Sequence, residues 1–333
     1  MRPYTSGVTS AIWFEVVGFG VGLLLGSFLN VCISRLPRHE SVVRPGSHCM
    51  SCGHAVRWYD NVPVLSWVVL RGRCRDCKAG ISWRYPAVEL GVGLWFAIIG
   101  HGLGWVFSVY NSWIANRPSP PSIEIHGIIA STASNLLITA IVTAILGFLL
   151  IGLMVMDWQT QRLPDAFTLP GIGVGFVLVC VRAAFLAPGE GDIALNTTHQ
   201  LRMSSPGSFQ AQGNVFLTGT EAMVLGRVAA IAGAALILLV VRWAYKAVRK
   251  RDGMGLGDVK LLAMIAAFLG FGQSLLALFV GVVVASVYGI GLMVRRRAGA
   301  ESKLPLGSFL AAGGLFAAVF GERIVSWYAG LLR

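Results

Sequence analysis

The chain has 333 residues, of which 55% are apolar and only 13% charged, and its mean hydropathy is +0.70. Soluble domains carry charge on about a quarter of their residues because surface that faces water must be polar. The composition therefore excludes an ordinary soluble protein and indicates a chain that lies mostly in lipid. The net charge of +12 would suit nucleic acid, but basic residues that flank apolar segments report membrane orientation instead. We predict no nucleic-acid partner.

Eight apolar segments predict an all-α polytopic membrane protein with about eight transmembrane helices. In chain order the segments cover residues 12–33, 86–107, 136–156, 167–187, 222–243, 259–271, 274–294 and 306–328. The first is longer than an ordinary signal-peptide core and is followed by no small-residue cleavage site, which favours a retained helix. The sixth ends at a predicted Gly272-Gln273 turn. It spans about 20 Å of a hydrocarbon core of about 30 Å, so one of its ends must lie below the membrane surface.

The polar stretches divide the chain into three parts. We predict a first transmembrane helix in residues 1–33, a small soluble domain in residues 34–85 and a membrane domain in residues 86–333. The connections after the first, third, fifth and seventh segments, together with Arg242 and Lys260 at the adjoining segment ends, hold 20 of the 27 Lys and Arg residues. By the positive-inside rule these connections are cytoplasmic and both termini are outside. The opposite connections, 108–135 and 188–221, have the composition of linkers.

Four cysteines in the polar domain form two CxxC pairs separated by 21 residues. They are Cys49, Cys52, Cys74 and Cys77. Two such pairs can supply four thiolates in a tetrahedron, which is typical of a zinc ribbon, and metal binding would stabilise a domain too small to fold alone. Disulfides are the alternative, but the charge pattern puts this domain in the reducing cytoplasm. We predict a structural zinc, for which His48 and His54 are possible replacement ligands.

Two aspartates lie at the edges of apolar segments, where a carboxylate is costly and usually functional. Asp157 ends the third segment, and Asp258 opens the short sixth segment within Gly255-Leu256-Gly257-Asp258. By the predicted orientation both lie at the cytoplasmic edge of the bilayer. Two carboxyls about 3 Å apart share a proton, so that one activates a water while the other hydrogen-bonds the scissile carbonyl. We therefore predict an aspartic-peptidase pair, next to glycines that permit close approach of a peptide.

Each of these aspartates also has a structural interpretation. Asp258 could cap its helix, and Asp157 could be a solvated helix end. Asp165, after Leu163-Pro164, is better explained as an N-terminal cap of the fourth helix than as a catalytic group.

Several segments together resemble the type IV prepilin peptidases, also called leader peptidase and N-methyltransferase. The resemblance depends on Gly26–Val31 with Arg35-Leu36-Pro37, the paired cysteines, Asp60–Pro63, Arg84–Glu89, Asp157 with Leu163-Pro164-Asp165, and Gly255–Leu261. Their order and spacing cover nearly the whole chain.

The resemblance implies an eight-helix enzyme of the bacterial inner membrane. Such an enzyme removes a short basic leader from prepilins and pseudopilins, and many members then N-methylate the new terminal residue. It implies that Asp157 and Asp258 are the catalytic aspartates and that the four cysteines form a cytoplasmic metal site. It also implies S-adenosylmethionine as the methyl donor, although the chain has no glycine-rich strand-to-helix signature of a common donor site.

The chain departs from the family pattern at Met50, which replaces a proline, and in Leu304-Pro305-Leu306-Gly307, which replaces Pro-Phe-Gly-Pro. We expect neither departure to touch the two aspartates. The segment Gly26–Leu29 recurs as Gly307–Leu310, and we interpret this recurrence as coincidence, because small residues in membrane helices usually serve close packing.

Three functions from different classes remain open on the residues. The first is the peptidase, with or without methyltransferase activity. The second is a proton-coupled transporter that uses the same membrane aspartates as a relay. The third is a non-catalytic scaffold anchored by its zinc domain.

Overall fold

A computed structural model describes residues 4–115, 123–183, 219–250, 254–295 and 304–331. The α-helices in these ranges are α1 Tyr4–Arg35, α2 Leu65–Val69, α3 Arg84–Ala115, α4 Ile123–Thr160, α5 Asp165–Ala183, α6 Gly219–Arg249, α7 Leu256–Leu269, α8 Phe271–Val294 and α9 Leu306–Leu331. Long apolar runs form helices because a backbone in lipid must satisfy its hydrogen bonds internally.

Seven of the described helices, all except α2 and α7, are long and apolar enough to cross a membrane. The predicted all-α polytopic membrane protein is confirmed, and the remaining predicted segment is the short helix α7. The prediction that residues 108–135 form a linker is wrong. Because α3 continues to Ala115 and α4 begins at Ile123, most of that range is helical. The predicted linker 188–221 lies almost wholly outside the described residues.

The turn after α7 lies earlier than predicted. Helix α7 ends at Leu269, Gly270 forms the break, and Gly272 and Gln273 already belong to the first turn of α8. Gly270 has φ +90°, a conformation that a residue with a Cβ rarely adopts. Arg227 of α6 donates a hydrogen bond to the Ala266 carbonyl at 3.3 Å. The same carbonyl accepts the Gly270 N–H at 2.9 Å, so Arg227 adds a second donor at the C-terminal end of the short helix.

Helices α1 and α3 pack along most of their lengths. Their backbones approach closely at a row of glycines on α1. A Cβ at Gly18 or Gly22 would lie 2.6 or 2.7 Å from the carbonyl oxygens of Phe96 and Val92. This is the small-residue packing that holds membrane helices together. The main buried core lies deeper, where α7 is enclosed by α4, α6, α8 and α9.

The polar domain, residues 36–83, is fastened to the membrane helices by buried polar groups. Arg35, at the end of α1, donates to the carbonyls of Ser41 and Gly46, both at 3.1 Å. Glu89 of α3 accepts the Val64 backbone N–H at 2.7 Å. Both side chains are 8% exposed. The polar domain is therefore held at the C-terminal end of α1 and the N-terminal end of α3.

Candidate active site and four-cysteine centre

Asp157 lies in the last turn of α4, which ends at Thr160. Its side chain is 6% exposed, so it is not the solvated helix end that the structural interpretation required. A carboxylate buried at this depth needs polar partners.

Asp258 is the third residue of α7, whose N-cap is Gly255. It is 9% exposed, and a Cβ at Gly255 would lie 3.8 Å from its Oδ2. The carboxylates of Asp157 and Asp258 are close enough to interact electrostatically. Two residues that lie far apart in sequence, at the ends of α4 and α7, therefore form one buried acidic pair.

Helix α9 supplies the polar partner of Asp157. The Ser308 backbone N–H donates to Asp157 Oδ2 at 2.7 Å, and the Ser308 hydroxyl lies 3.0 Å from the same oxygen. A Cβ at Gly307 would lie 3.0 Å from Asp157 Cγ. The expectation that the segment ending at Gly307 stays clear of the aspartates is therefore wrong. This segment leads directly into the helix start that packs on Asp157.

Two other residues near the pair have partners that the sequence did not predict. Asp165 is the first residue of α5, and its carboxylate accepts a hydrogen bond from Lys260 Nζ of α7 at 2.6 Å, so its partner is a lysine of another helix. A Cβ at Gly257 would lie 3.0 Å from Leu163 Cβ. The close approach at this glycine is therefore by the chain's own α4–α5 connection.

An aromatic cluster flanks the pair. Trp158, Tyr288 and Phe309 have ring centroids 5.4 to 6.1 Å apart, and two of them follow Asp157 and Ser308 directly. Trp158 is 48% exposed and Tyr288 is 37% exposed. This cluster presents apolar surface beside the acidic pair.

The four cysteine side chains converge as their spacing predicts. Their sulfur atoms all lie within 4.8 Å of one another, and the sulfurs of Cys49 and Cys77 are 3.8 Å apart. A zinc ion with Zn–S bonds of about 2.3 Å needs sulfurs about 3.8 Å apart. Antiparallel bridges, His48 to Ala55 and Arg73 to Gly80, close the two turns that carry the cysteines. The set fits a tetrahedral metal ion.

A cavity of about 870 Å³ lies between the C-terminal half of α1 and the cysteine domain. Its wall runs from Ser27 and Asn30 on α1 to Cys49 and Cys74. A side pocket of about 140 Å³ shares Asn30 with this cavity and reaches Gln159, two residues beyond Asp157. The space beside the cysteine domain thus reaches the C-terminal end of α4, the helix that carries Asp157.

Ser308, Gly307 and the aromatic cluster were not predicted as site residues. One signal in the sequence pointed to Gly307, Ser308 and Phe309, namely the recurrence of Gly-Ser-Phe-Leu. In the first copy Gly26 packs on the Glu89 backbone, and the Ser27 side chain lies near the Glu89 carboxylate. In both copies the Gly-Ser pair therefore contacts a buried acidic residue of a neighbouring helix.

Two ranges of the chain match known protein families. Residues 21–102 match the family described as "Bacterial Peptidase A24 N-terminal domain", and residues 209–290 match the "Type IV leader peptidase family". The first range contains the four cysteines, and the second contains Asp258. No solved structure matches the chain.

Curated relatives match over nearly the full length. A prepilin leader peptidase/N-methyltransferase of Burkholderia pseudomallei (strain 1026b) is 30% identical over 327 residues, covering 90% of this chain and 84% of its own. One of Aeromonas salmonicida (strain A449) is 28% identical and covers 95% of this chain and 94% of its own. A third, of Myxococcus xanthus (strain DK1622), is 51% identical over 96 residues, or 29% of each chain.

Proposed function

The chain belongs to the type IV leader peptidase family, and from this premise we propose that it removes the leader peptides of type IV prepilins and pseudopilins, with Asp157 and Asp258 as the catalytic pair. The observation that carries the proposal is the meeting of two buried carboxylates at adjoining helix ends. We further propose that the protein N-methylates the residue exposed by the cut.

In the proposed reaction one carboxylate takes a proton from water as the water oxygen bonds to the scissile carbonyl carbon. The other carboxyl gives its proton to the carbonyl oxygen. Collapse of the tetrahedral intermediate then breaks the C–N bond, as the protonated carboxyl gives its proton to the leaving amine and the other carboxylate takes a proton from a hydroxyl of the intermediate, which restores the pair. Because the carboxyls interact, their titration belongs to the pair.

The location of the pair suits a substrate that enters from the cytoplasm and continues into lipid. We propose that the protein lies in the bacterial inner membrane with the cysteine domain and the basic connections in the cytoplasm, as the distribution of Lys and Arg favours. Helix α7 has 14 residues and spans about 21 Å. Asp258 at its start can therefore lie below the surface, at the depth where a basic leader passes into an apolar pilin helix. The exposed rings of Trp158 and Tyr288 would contact that helix.

We propose zinc as the metal of the four cysteines. The 3.8 Å between the Cys49 and Cys77 sulfurs matches the spacing of thiolates on one zinc ion. Four protein ligands leave no open position for a substrate. The metal would therefore stabilise the fold of a domain that has little apolar core of its own.

The cavity beside the cysteine domain is the place that we propose for S-adenosylmethionine. Its volume of about 870 Å³ suits a ligand of that size. Arg38 and Glu40 on its wall are suited to the carboxylate and the ammonium group of the donor. When bound, the donor supplies an activated methyl group on sulfur. The side pocket reaches Gln159 at the end of α4, and we propose that the new pilin N-terminus passes this way from the acidic pair to the cavity.

Mass spectrometry of a co-expressed pilin tests the proposal, because the mass of its N-terminal peptide reports both the cut and the methyl group. We expect a mature, methylated N-terminus with the protein and an intact leader without it. A mature but unmethylated terminus would leave only the peptidase. An intact leader in both cultures would contradict the proposed function, and proton uptake driven by a transported solute would favour the transporter.

A further inference from the structure

We propose that Ser308 is a positioning residue that binds Oδ2 of Asp157 in both protonation states and leaves Oδ1 for the reaction. This inference rests on the proposed function, since it concerns how the acidic pair is held during catalysis.

The backbone N–H of Ser308 is a donor held in place by its helix. The Ser308 N–H lies in the first turn of α9, where backbone donors have no partner within the helix. It donates to Asp157 Oδ2 at 2.7 Å and, over a longer distance, to the Pro305 carbonyl at 3.2 Å. The serine is 3% exposed and Asp157 is 6% exposed, so water does not replace this bond easily. One oxygen of the carboxylate is thereby fixed, and the position of the other follows from it.

The Ser308 hydroxyl has one hydrogen to donate and two acceptor oxygens within reach. Ser308 Oγ lies 3.0 Å from Asp157 Oδ2 and 2.9 Å from the Met154 carbonyl oxygen. When Asp157 is ionised, the hydroxyl can donate to Oδ2. When the reaction places a proton on Oδ1, Oδ2 is the carbonyl oxygen of a neutral acid, which still accepts from the hydroxyl or, if the hydroxyl turns to the Met154 carbonyl, from the backbone N–H alone.

The proposed reaction changes the protonation state of Asp157. As general acid or general base, Asp157 must change its protonation state during each turnover. A buried carboxyl that loses a hydrogen-bond partner when it changes state would be destabilised by about 1 to 3 kcal/mol. The hydroxyl of Ser308 can partner both states, so the change leaves no buried polar atom unsatisfied.

The charged side chains near the pair have other partners, so the hydrogen bonds to Asp157 come from Ser308. Helix α7 presents Asp258, a buried carboxyl on which the charge of Asp157 acts. Lys260 of the same helix is bound to Asp165. Helix α9 presents the uncharged Ser308.

The test compares Ser308→Ala with Ser308→Thr in cleavage of a prepilin by the full-length protein in membranes. The alanine variant keeps the backbone donor but lacks the hydroxyl. We expect its kcat to fall by about tenfold or more, with KM nearly unchanged. We also expect the acidic limb of its pH profile to move to higher pH, because the ionised carboxylate has lost a donor. The threonine variant should recover most of the rate and the original profile.

Ser274→Ala is the matched control. Ser274 is also fully buried and donates within its own helix, to the Phe271 carbonyl at 2.7 Å, so its loss should leave kcat and the pH profile unchanged. An unchanged rate and profile in Ser308→Ala, with cleavage by the unmodified protein intact, would overturn the inference alone. A fall in rate that follows protein abundance, without a shifted profile, would also overturn it. If the unmodified protein does not cleave, the proposed function fails instead.

Discussion

Gly307 leaves no room for a side chain beside Asp157. A Cβ at this position would lie 3.0 Å from Asp157 Cγ and 2.9 Å from Leu163 Cδ1, closer than such atoms normally approach. Asp157 is buried, and Leu163 is partly buried against the core. The absence of a side chain at Gly307 is therefore part of what sets the position of the carboxylate.

We expect Gly307→Ala to displace Asp157 and to reduce prepilin cleavage by about tenfold or more, since overpacking of a buried contact typically costs about 1 to 3 kcal/mol. Gly330→Ala, in the same helix, is the control, because a Cβ there meets nothing within 4 Å. Initial cleavage rates at matched protein amounts measure the effect. Equal rates in the two variants would contradict the steric account.

At the scale of residues, the sequence predicted the aspartates but not their partners. A carboxylate beside an apolar segment is costly, so Asp157 and Asp258 could be recognised one by one. Ser308 could not, because serine in a membrane helix commonly serves packing. Its function here depends on a neighbour on another helix, which only the fold reveals.

At the scale of elements, the short helix and the cysteine turns were predictable because each is defined locally. The length of α7 follows from its apolar run, and each CxxC turn is closed within a few residues. The end of α7 was misplaced because Gly270 and Gly272 are both plausible breakers in sequence. Only the backbone shows which one takes positive φ, and it is Gly270.

We expect Cys74→Ser to lose zinc and to loosen the cysteine domain, since three ligands hold the metal less well than four. Elemental analysis of purified protein should give about one zinc per chain before the change and far less after it. Acidification should also release the metal, because zinc requires thiolates. Cys180→Ser, in α5, should keep the zinc. Purified unmodified protein without zinc would refute this assignment.

At the scale of the whole molecule, the acidic pair exists because α4, α7 and α9 converge. Helix α9 packs on both α4 and α7, and it also carries the donor to Asp157. The sequence predicted helices, orientation and family, and the fold class and family are confirmed. The packing of three separate helices could not be derived from apolar periodicity, because lipid-facing and buried faces are both apolar.

The account depends most directly on the two carboxyls acting together, and replacement of either by its amide tests this. Asp157→Asn and Asp258→Asn preserve shape but remove the proton exchange, so each should reduce prepilin cleavage by at least about a hundredfold. Asp165→Asn, which removes only the ion pair with Lys260, should retain cleavage. The measurement is the fraction of mature pilin N-termini by mass spectrometry, at equal amounts of each membrane protein. Loss in both pair variants with retention in Asp165→Asn is the predicted result. Substantial cleavage by either Asp157→Asn or Asp258→Asn would contradict the account.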